Sequence, residues 1–189
     1  CVCAEDYSDC CTPKKFTVSI SNHYSAFPDR VDTANIAVVS KEKFASVATM
    51  KLNAMFSMNV KEWLDLKTNN LYRIQKMSNM PWNKCEKHSA QSSMWGSFAK
   101  EKICYMFSMG TKNGDTYSFK YGDHTQTIKH LGDKVCVPVK FVTKNIDVGQ
   151  PGKDIKKMTM TTTFSNFVVG QPSEKLFVKA ESCNALTLK

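Results

Sequence analysis

The sequence predicts an all-β fold with minor helix, and two features of the chain carry that prediction. Apolar and polar residues alternate at period two in short stretches separated by turn residues, as in residues 16–20, Phe-Thr-Val-Ser-Ile. The dipeptide Asn113-Gly114 is typical of a two-residue hairpin turn, because both residue types tolerate a positive φ. Several such strands would form two antiparallel sheets, or one strongly curved sheet, closed over an apolar interior.

The predicted strands follow one another along most of the chain. Successive side chains of a strand point to opposite faces, so each strand offers one apolar face and one mostly polar face. In chain order, the further apolar rows are Phe56, Met58 and Val60; Ile103, Tyr105, Phe107 and Met109; Tyr117, Phe119 and Tyr121; Val135, Val137, Val139 and Phe141; and Met158, Met160 and Phe164. Residues 41–52 fit a short helix or a strand, and the pattern leaves both open.

Length and composition indicate one globular domain. The chain has 189 residues, of which 42% are hydrophobic and 23% charged, and these fractions exclude a disordered or collagen-like protein. A run of 18 or more apolar residues is absent, so we expect no transmembrane segment. We expect a cysteine-rich N-terminal segment, residues 1–15, followed by a single β domain, residues 16–189.

The cysteines predict disulfides in an oxidising compartment. Eight are present, four of them within the first eleven residues, and none forms the C-x-x-C pair that is typical of zinc sites. We therefore expect no metal site built on cysteine. The sequence starts at Cys1 and shows no apolar leader, which is typical of a mature secreted chain whose signal peptide has been removed.

The net charge of +9 comes from lysines scattered along the chain. Proteins that bind nucleic acid usually concentrate such charge in an arm or on one helix face, so we expect no nucleic-acid partner. The simplest interpretation is a solvated surface. The alternative is affinity for anionic glycans or membrane surfaces.

Catalytic motifs are absent, and we expect that the protein is not an enzyme. The sequence contains no G-x-S-x-G, H-E-x-x-H, P-loop or G-x-G-x-x-G pattern. The four histidines are scattered and fit surface positions. Asp115, Asp123 and Asp133 fit turn positions better than a calcium site, because the spacing of an EF-hand loop is missing.

Ordered landmarks from about residue 10 to residue 183 resemble the ependymin and ependymin-related family of secreted proteins. They are Cys10-x-x-Pro13; Trp63-Leu64-Asp65-Leu66 followed by residues 69–74; Cys85 with Lys87; Cys136-Val137-Pro138-Val139; and Phe164-x-Asn166, Gly170-x-Pro172, Phe177 and Cys183. The resemblance implies two stacked antiparallel sheets that enclose a hydrophobic pocket, similar to bacterial lipoprotein-carrier domains. It also implies secretion, lipid-like ligands, a dimer with the same or a related chain, and calcium by family analogy.

The resemblance also implies a disulfide map and a ligand. Cys10 would bridge Cys136, and Cys85 would bridge Cys183. Cys1, Cys3, Cys11 and Cys104 would then pair among themselves or join two chains. Some marine members of the family look like carotenoid carriers, so we rank a carotenoid pigment first among ligands and a fatty-acyl lipid second.

Large side chains of the alternating rows are the candidate wall of the pocket, since methionine and aromatic residues adapt to long apolar ligands. The candidates are Phe56, Met58, Trp63, Tyr72, Tyr105, Phe107, Tyr117, Phe119, Met158, Met160 and Phe164. A two-sheet protein could use the same residues merely to fill its core. The alternative function is an extracellular matrix or adhesion protein that binds polyanions through its lysines.

Overall fold

Antiparallel β-strands make up most of the chain in the computed structural model, which confirms the predicted fold class. The structure describes residues 8–51, 55–93, 96–100, 102–148 and 156–184, with only the backbone of Ser97 and Phe98. Cys1 and Cys3 lie outside the described residues.

The strands are β1 (Cys10–Cys11), β2 (Lys15–Tyr24), β3 (Phe27–Val39), β4 (Lys43–Lys51), β5 (Ser57–Asp65), β6 (Asn70–Met77), β7 (Glu86–Ser89), β8 (Cys104–Tyr105), β9 (Thr111–Asn113), β10 (Thr116–Tyr121), β11 (His124–Gly132), β12 (Val135–Val148) and β13 (Lys156–Val169). Helical structure is limited to α1 (Ser97–Lys100), α2 (Glu181–Asn184) and single 3-10 turns at Ala90–Ser92, Phe107–Met109 and Glu174–Phe177, within the ranges given above.

The chain divides into two compact units. Unit one comprises Cys1–Pro13, Ile20–Val31 and Ile103–Ser165, and unit two comprises Lys14–Ser19, Asp32–Lys102 and Asn166–Lys189. The long strands β2, β3 and β13 contribute residues to both units. The boundary expected between residues 1–15 and residues 16–189 stays a prediction.

Unit two is built on a sheet with the strand order β7-β6-β5-β4-β3-β2-β13. Its register places Phe44 opposite Leu64 and Leu64 opposite Leu71, and all three are buried. We call this side of the sheet the core face. Residues one position along each strand point to the other side, which we call the groove face.

A buried ion pair also lies on the core face. Glu62, only 1% exposed, accepts two hydrogen bonds from Arg73, from Nε at 2.9 Å and Nη2 at 2.6 Å, and one from Ser93 Oγ at 2.9 Å. Glu62 and Arg73 are direct cross-strand neighbours. The pairing satisfies the buried carboxylate, since removing one partner of such a pair would leave a costly uncompensated charge.

Unit one contains strands in the order β13-β12-β11-β10-β9. Its N-terminal strand β1 runs parallel to β12 and antiparallel to β8. Tyr105, Phe119 and Ile128 form a buried cluster in this unit together with Cys10 and Cys136.

Within the described residues, three disulfides form, two in unit one and one in unit two. Cys10–Cys136 and Cys11–Cys104 lie in unit one, and Cys85–Cys183 lies in unit two. The first and last are the pairs that the family resemblance implies, and the second answers a pairing that the sequence left open. Because consecutive strand residues point to opposite faces, Cys10 and Cys11 reach different partners.

Two local expectations are refined by the structure. Residues 41–52, left open between helix and strand, contain β4, in which Val47 and Thr49 supply β-branched side chains. The hairpin at Asn113 forms, but Asn113 itself pairs with Thr116, so Gly114 and Asp115 are the central residues of the turn. Gly114 takes the positive φ, 61°, that the tight turn requires.

Among the residues that the structure describes, no helix has the length and apolar character needed to cross a bilayer.

The Cys85–Cys183 disulfide gives the first testable prediction. The bridge joins residues 98 apart, and closing a loop of that length stabilises a folded chain by about 4.7 kcal/mol in the chain-entropy model. We expect Cys85→Ala with Cys183→Ala to lower the free energy of unfolding by several kcal/mol in non-reducing denaturant titrations. An unchanged free energy of unfolding would show that this bridge does not hold the native fold.

Candidate functional site

A groove of about 500 Å³ lies along the groove face of unit two. Its floor crosses five neighbouring strands, β5, β4, β3, β2 and β13, and its wall comes from the chain beyond β13. The apolar lining residues are Ala37, Ala45, Val47, Trp63, Val168, Leu176 and Val178, together with Val18 and Ile36, and the remaining ones are Thr17, Ser19, Asn35, Ser46, Lys61, Asn166 and Lys175. A volume of this size falls within the range of small-molecule sites.

Small side chains create this space. Ala37 and Ala45 are cross-strand partners, so two methyl groups stand where most sheets carry larger residues. Trp63 lies directly opposite Ala45 on the next strand and closes that part of the floor with an aromatic ring. The sheet therefore keeps a depression instead of filling it with its own side chains.

The wall of the groove is a short segment that we call the cover segment, residues 174–179. Gly170 takes a φ of 132°, and its N–H donates to the Lys15 carbonyl at 3.0 Å, where the chain leaves the sheet. Leu176 and Val178 line the groove, whereas Phe177 and Lys179 line a second cavity of about 320 Å³. The cover segment thus separates two cavities that share Trp63.

Three interactions fasten this segment to the sheet. Lys43 Nζ lies 2.5 Å from Glu174 and 4.6 Å from the ring centre of Phe177, and Lys179 Nζ lies 3.9 Å from the ring centre of Tyr72. Beyond it, Cys183 bonds Cys85 and packs in one buried cluster with Tyr72.

The charged residues that line the groove, in the part of the chain described, are both cationic, Lys61 and Lys175. Polar groups lie on the strands at the other side, where Ser19 Oγ donates to Asn35 Oδ1 at 2.8 Å and Asn166 Nδ2 donates to Ser19 Oγ at 3.5 Å. The groove therefore combines an apolar interior with positive charge and a few hydrogen-bonding groups, which suits an amphiphile with an anionic head.

The smaller cavity has a different character. Its lining combines the rings of Trp63, Tyr72 and Phe177 with Lys43, Lys67 and Lys179 and with Glu42 and Asp65, besides Phe44 and Leu64. The Asp65 carboxylate already accepts the backbone N–H groups of Lys67 and Thr68, at 2.9 Å and 3.3 Å. Its mixed charges give this cavity less apolar character than the groove.

Eleven residues are proposed from the sequence for the wall of a pocket. Two of them line the cavities described above. Trp63 lines both, and Tyr72 lines the smaller one. The other nine are not among the described lining residues of either. Met58 cannot join Trp63 on one wall, because the two lie five positions apart on β5 and so point to opposite faces.

The candidates of unit one pack against one another instead. The rings of Tyr105 and Phe119 lie 5.1 Å apart in the buried core, and those of Phe107 and Tyr117 stack at 4.0 Å. Burial raises the pKa of Tyr105, whose hydroxyl donates to Gln126 Oε1 at 3.3 Å.

The remaining candidates differ in how deeply they are buried. Phe164 is buried, and its ring meets that of Phe141 edge-on at 4.7 Å. Met158 and Met160 are half-buried on β13, and Phe56 is exposed just before β5.

The structure brings no three metal-ligating side chains together among its described residues. Two of the aspartates considered for calcium have protein partners. Asp115 pairs with Lys129 at 2.8 Å, and Asp123 accepts a hydrogen bond from Asn145 at 2.8 Å.

Apart from Trp63, sequence reasoning missed the residues that form the groove. Its apolar floor and wall are mostly small or aliphatic, whereas the residues predicted from the sequence are methionine and aromatic residues. One signal was present: residues 36–39, Ile-Ala-Val-Val, form an unbroken apolar run, and all four are buried. Such a run is typical of a strand that is covered on both faces.

Comparisons with solved structures give distant likenesses only. No family model and no curated protein matches the sequence. Among solved structures, a LolA-superfamily protein of Nitrosomonas europaea is similar over 93% of this chain and 94% of that chain, with 10% sequence identity and a TM-score of 0.40. A TM-score this low leaves the function to be argued from the groove itself. The resemblance to the ependymin-related family stays a prediction.

The ion pair at the start of the cover segment predicts a pH dependence. The hydrogen bond from Lys43 lowers the pKa of Glu174, and the charges of Lys43 and Lys15 lower it further. A lowered folded-state pKa means that the pair stabilises the attached segment above the ordinary carboxyl pKa and is lost as the pH falls through the lowered value. We expect hydrogen exchange at the Leu176 and Val178 amides, corrected for its intrinsic pH dependence, to accelerate in that acidic range.

Glu174→Gln is the matched control, because it removes the titrating group while keeping the shape of the side chain. Exchange at the two amides should then show no acidic transition. A transition that survives in Glu174→Gln would assign the effect to another group.

Proposed function

We propose that the protein binds an elongated apolar ligand with an anionic head, most simply an acyl lipid, in the groove of unit two. The observation that carries the proposal is a groove of about 500 Å³ whose described lining combines apolar side chains with two lysines and no carboxylate. Burying the acyl chain supplies the binding free energy, about 0.8 kcal/mol for each buried CH₂ group. The two lysines would attract the anionic head and so determine where it lies in the groove.

The width of the groove favours an acyl chain over a carotenoid. Five neighbouring strands about 4.8 Å apart set a span of roughly 19 Å across the floor. An acyl chain is flexible and can bend to follow such a depression. A carotenoid is a longer, rigid polyene and would extend beyond the floor.

Three disulfides support the further proposal that the protein works outside the cell, because such bridges persist in oxidising compartments. A carrier of this kind needs no catalytic group, in keeping with the non-enzymatic role expected from the sequence. The expected dimer stays a prediction.

Obstructing the groove tests the proposal. Val47 is 50% exposed on the groove floor, so Val47→Trp should fold normally and fill part of the space. Displacement of a dansyl-labelled fatty acid by palmitate should show a loss of affinity of about tenfold or more. Val169→Trp is the matched control, because Val169 is similarly exposed, at 49%, and does not line the groove.

The lysine contribution is measured separately. Lys175→Ser should weaken palmitate binding roughly two- to fivefold, as expected for an exposed charge pair, and leave the binding of methyl palmitate unchanged. Equal affinity of wild type and Val47→Trp for palmitate would contradict the groove as the site.

Extraction of protein from its natural source tests the class of ligand. A fatty-acyl lipid in the organic extract supports the proposal, whereas a pigment that absorbs beyond the blue region would return the carotenoid to first place. An empty extract, together with retention on heparin that falls with salt, would instead support the matrix or adhesion alternative.

A further inference from the structure

Methionines concentrate at one end of the sheet of unit two. Five of the ten methionines of the chain fall within residues 50–80. Met50 pairs with Met58 and Met58 with Met77, so the three stand side by side on β4, β5 and β6. Thioether side chains are flexible and polarizable, and they are common on surfaces that bind apolar partners of variable shape.

Two loops extend from this end, and both expose large apolar side chains. Met55 and Phe56 precede β5, and they are 79% and 46% exposed. Met80 and Trp82 follow β6, and they are 60% and 37% exposed. We call these residues, with Met77, the methionine patch.

Hydrogen bonds hold the two loops together. The N–H of Ser78 donates to the Ser57 carbonyl at 2.9 Å, and the N–H of Ser57 donates to Ser78 Oγ at 2.7 Å. The second loop is folded back by a bond from the Asn83 N–H to the Gln75 carbonyl at 2.9 Å. The segment that carries Met80 and Trp82 is therefore anchored, and Phe56 directly precedes the hydrogen-bonded Ser57.

Lysines lie beside part of the patch and close to it in the sequence. Lys61 Nζ and Lys76 Nζ lie 4.9 Å and 5.2 Å from the ring centre of Trp82, and Lys51 and Lys84 are exposed nearby in the sequence. Residues 43–61 and 66–85 contain no aspartate or glutamate. Asp32, which accepts the backbone N–H of Lys51 at 3.0 Å, is buried.

We propose that the methionine patch docks this protein on the surface of an anionic lipid bilayer. Methionine and phenylalanine side chains would enter the boundary between headgroups and acyl chains, and tryptophan favours that interface. The lysines would contact anionic headgroups, because the negative potential of such a surface attracts basic side chains. A fluid bilayer does not require a partner of fixed shape, which suits flexible methionines with lysines beside them.

A lysine beside the patch also lines the groove. Lys61 lines the groove and also lies over Trp82, so docking would bring one side of the groove towards the bilayer. This link to lipid uptake rests on the proposed function, but the docking itself does not.

Vesicle binding tests the docking. Wild-type protein should cosediment with vesicles of phosphatidylcholine and phosphatidylserine, and more weakly with phosphatidylcholine alone. Met55→Ser with Met80→Ser should reduce binding to the anionic vesicles about tenfold or more, because two apolar side chains are lost from the interface. Met106→Ser with Met109→Ser is the matched control, since both residues are exposed in unit one, and it should bind as wild type does.

The role of the lysines in vesicle binding is tested with the double variant Lys51→Ser with Lys84→Ser. This variant should lose most of the preference for phosphatidylserine and most of the salt dependence, whereas Lys112→Ser with Lys120→Ser, at exposed positions of unit one, should keep both. The proposal is overturned if wild type binds neither vesicle, or if the methionine variant binds as wild type does. It is also overturned if that variant dissociates a dimer in sedimentation, because the patch would then be a contact between two copies.

Palmitate binding in vesicle-free solution is measured for every variant. Retained palmitate binding with lost vesicle binding is the expected result for the methionine variant. Vesicle binding without palmitate binding by wild type would leave the docking standing and refute the proposed function.

Discussion

The Cys85–Cys183 disulfide is the constraint on which the groove of unit two depends. Beyond Val169 the described chain forms no further strand, so the cover segment lacks the ladder of backbone hydrogen bonds that holds its neighbours. Its ion pair, Lys43–Glu174, is exposed, and exposed pairs contribute little. The covalent bond to Cys85 fixes the chain just beyond the segment, and its sulfurs pack in one cluster with Tyr72 and Ile74 on the groove face. Because the disulfide tethers the chain just beyond the cover segment, Leu176 and Val178 stay in position as the wall of the groove.

The core face of this sheet contributes mainly to stability, and the groove face provides the proposed binding site. The core face is filled by Phe44, Leu64 and Leu71 and by the Glu62–Arg73 pair. The groove face carries alanines at positions where larger residues would give further burial, and it remains partly open. Forgoing that burial costs stability, about 25 cal/mol for each Å² left unburied. The disulfide offsets such a cost in a chain of modest size.

Much of the fold follows from the alternation of residues, and the location of the site does not. Phe16, Val18 and Ile20 were expected on one inward face, and all three are buried. Alternation states which residues share a face, but not what covers that face. Trp63 could be proposed as a ligand contact because it is large, whereas Leu176 lies after the last strand, where no period exists to place it. The aromatic residues around Tyr105 were expected to contact a ligand and contact one another, since the two arrangements require the same residue types. The Cys10–Cys136 and Cys85–Cys183 pairs came from family resemblance, because spacing alone does not determine connectivity.

Photo-crosslinking with a fatty acid that carries a diazirine on its acyl chain tests the central claim most directly. The protein is irradiated with the bound probe, digested, and the modified residues are identified by mass spectrometry. We predict adducts on Trp63 of the floor and on Leu176 and Val178 of the cover segment, all suppressed by excess palmitate. Adducts concentrated on Tyr105, Phe107 and Tyr117 of unit one, and likewise suppressed by palmitate, would contradict the account and place the ligand among the aromatic residues that the sequence first suggested.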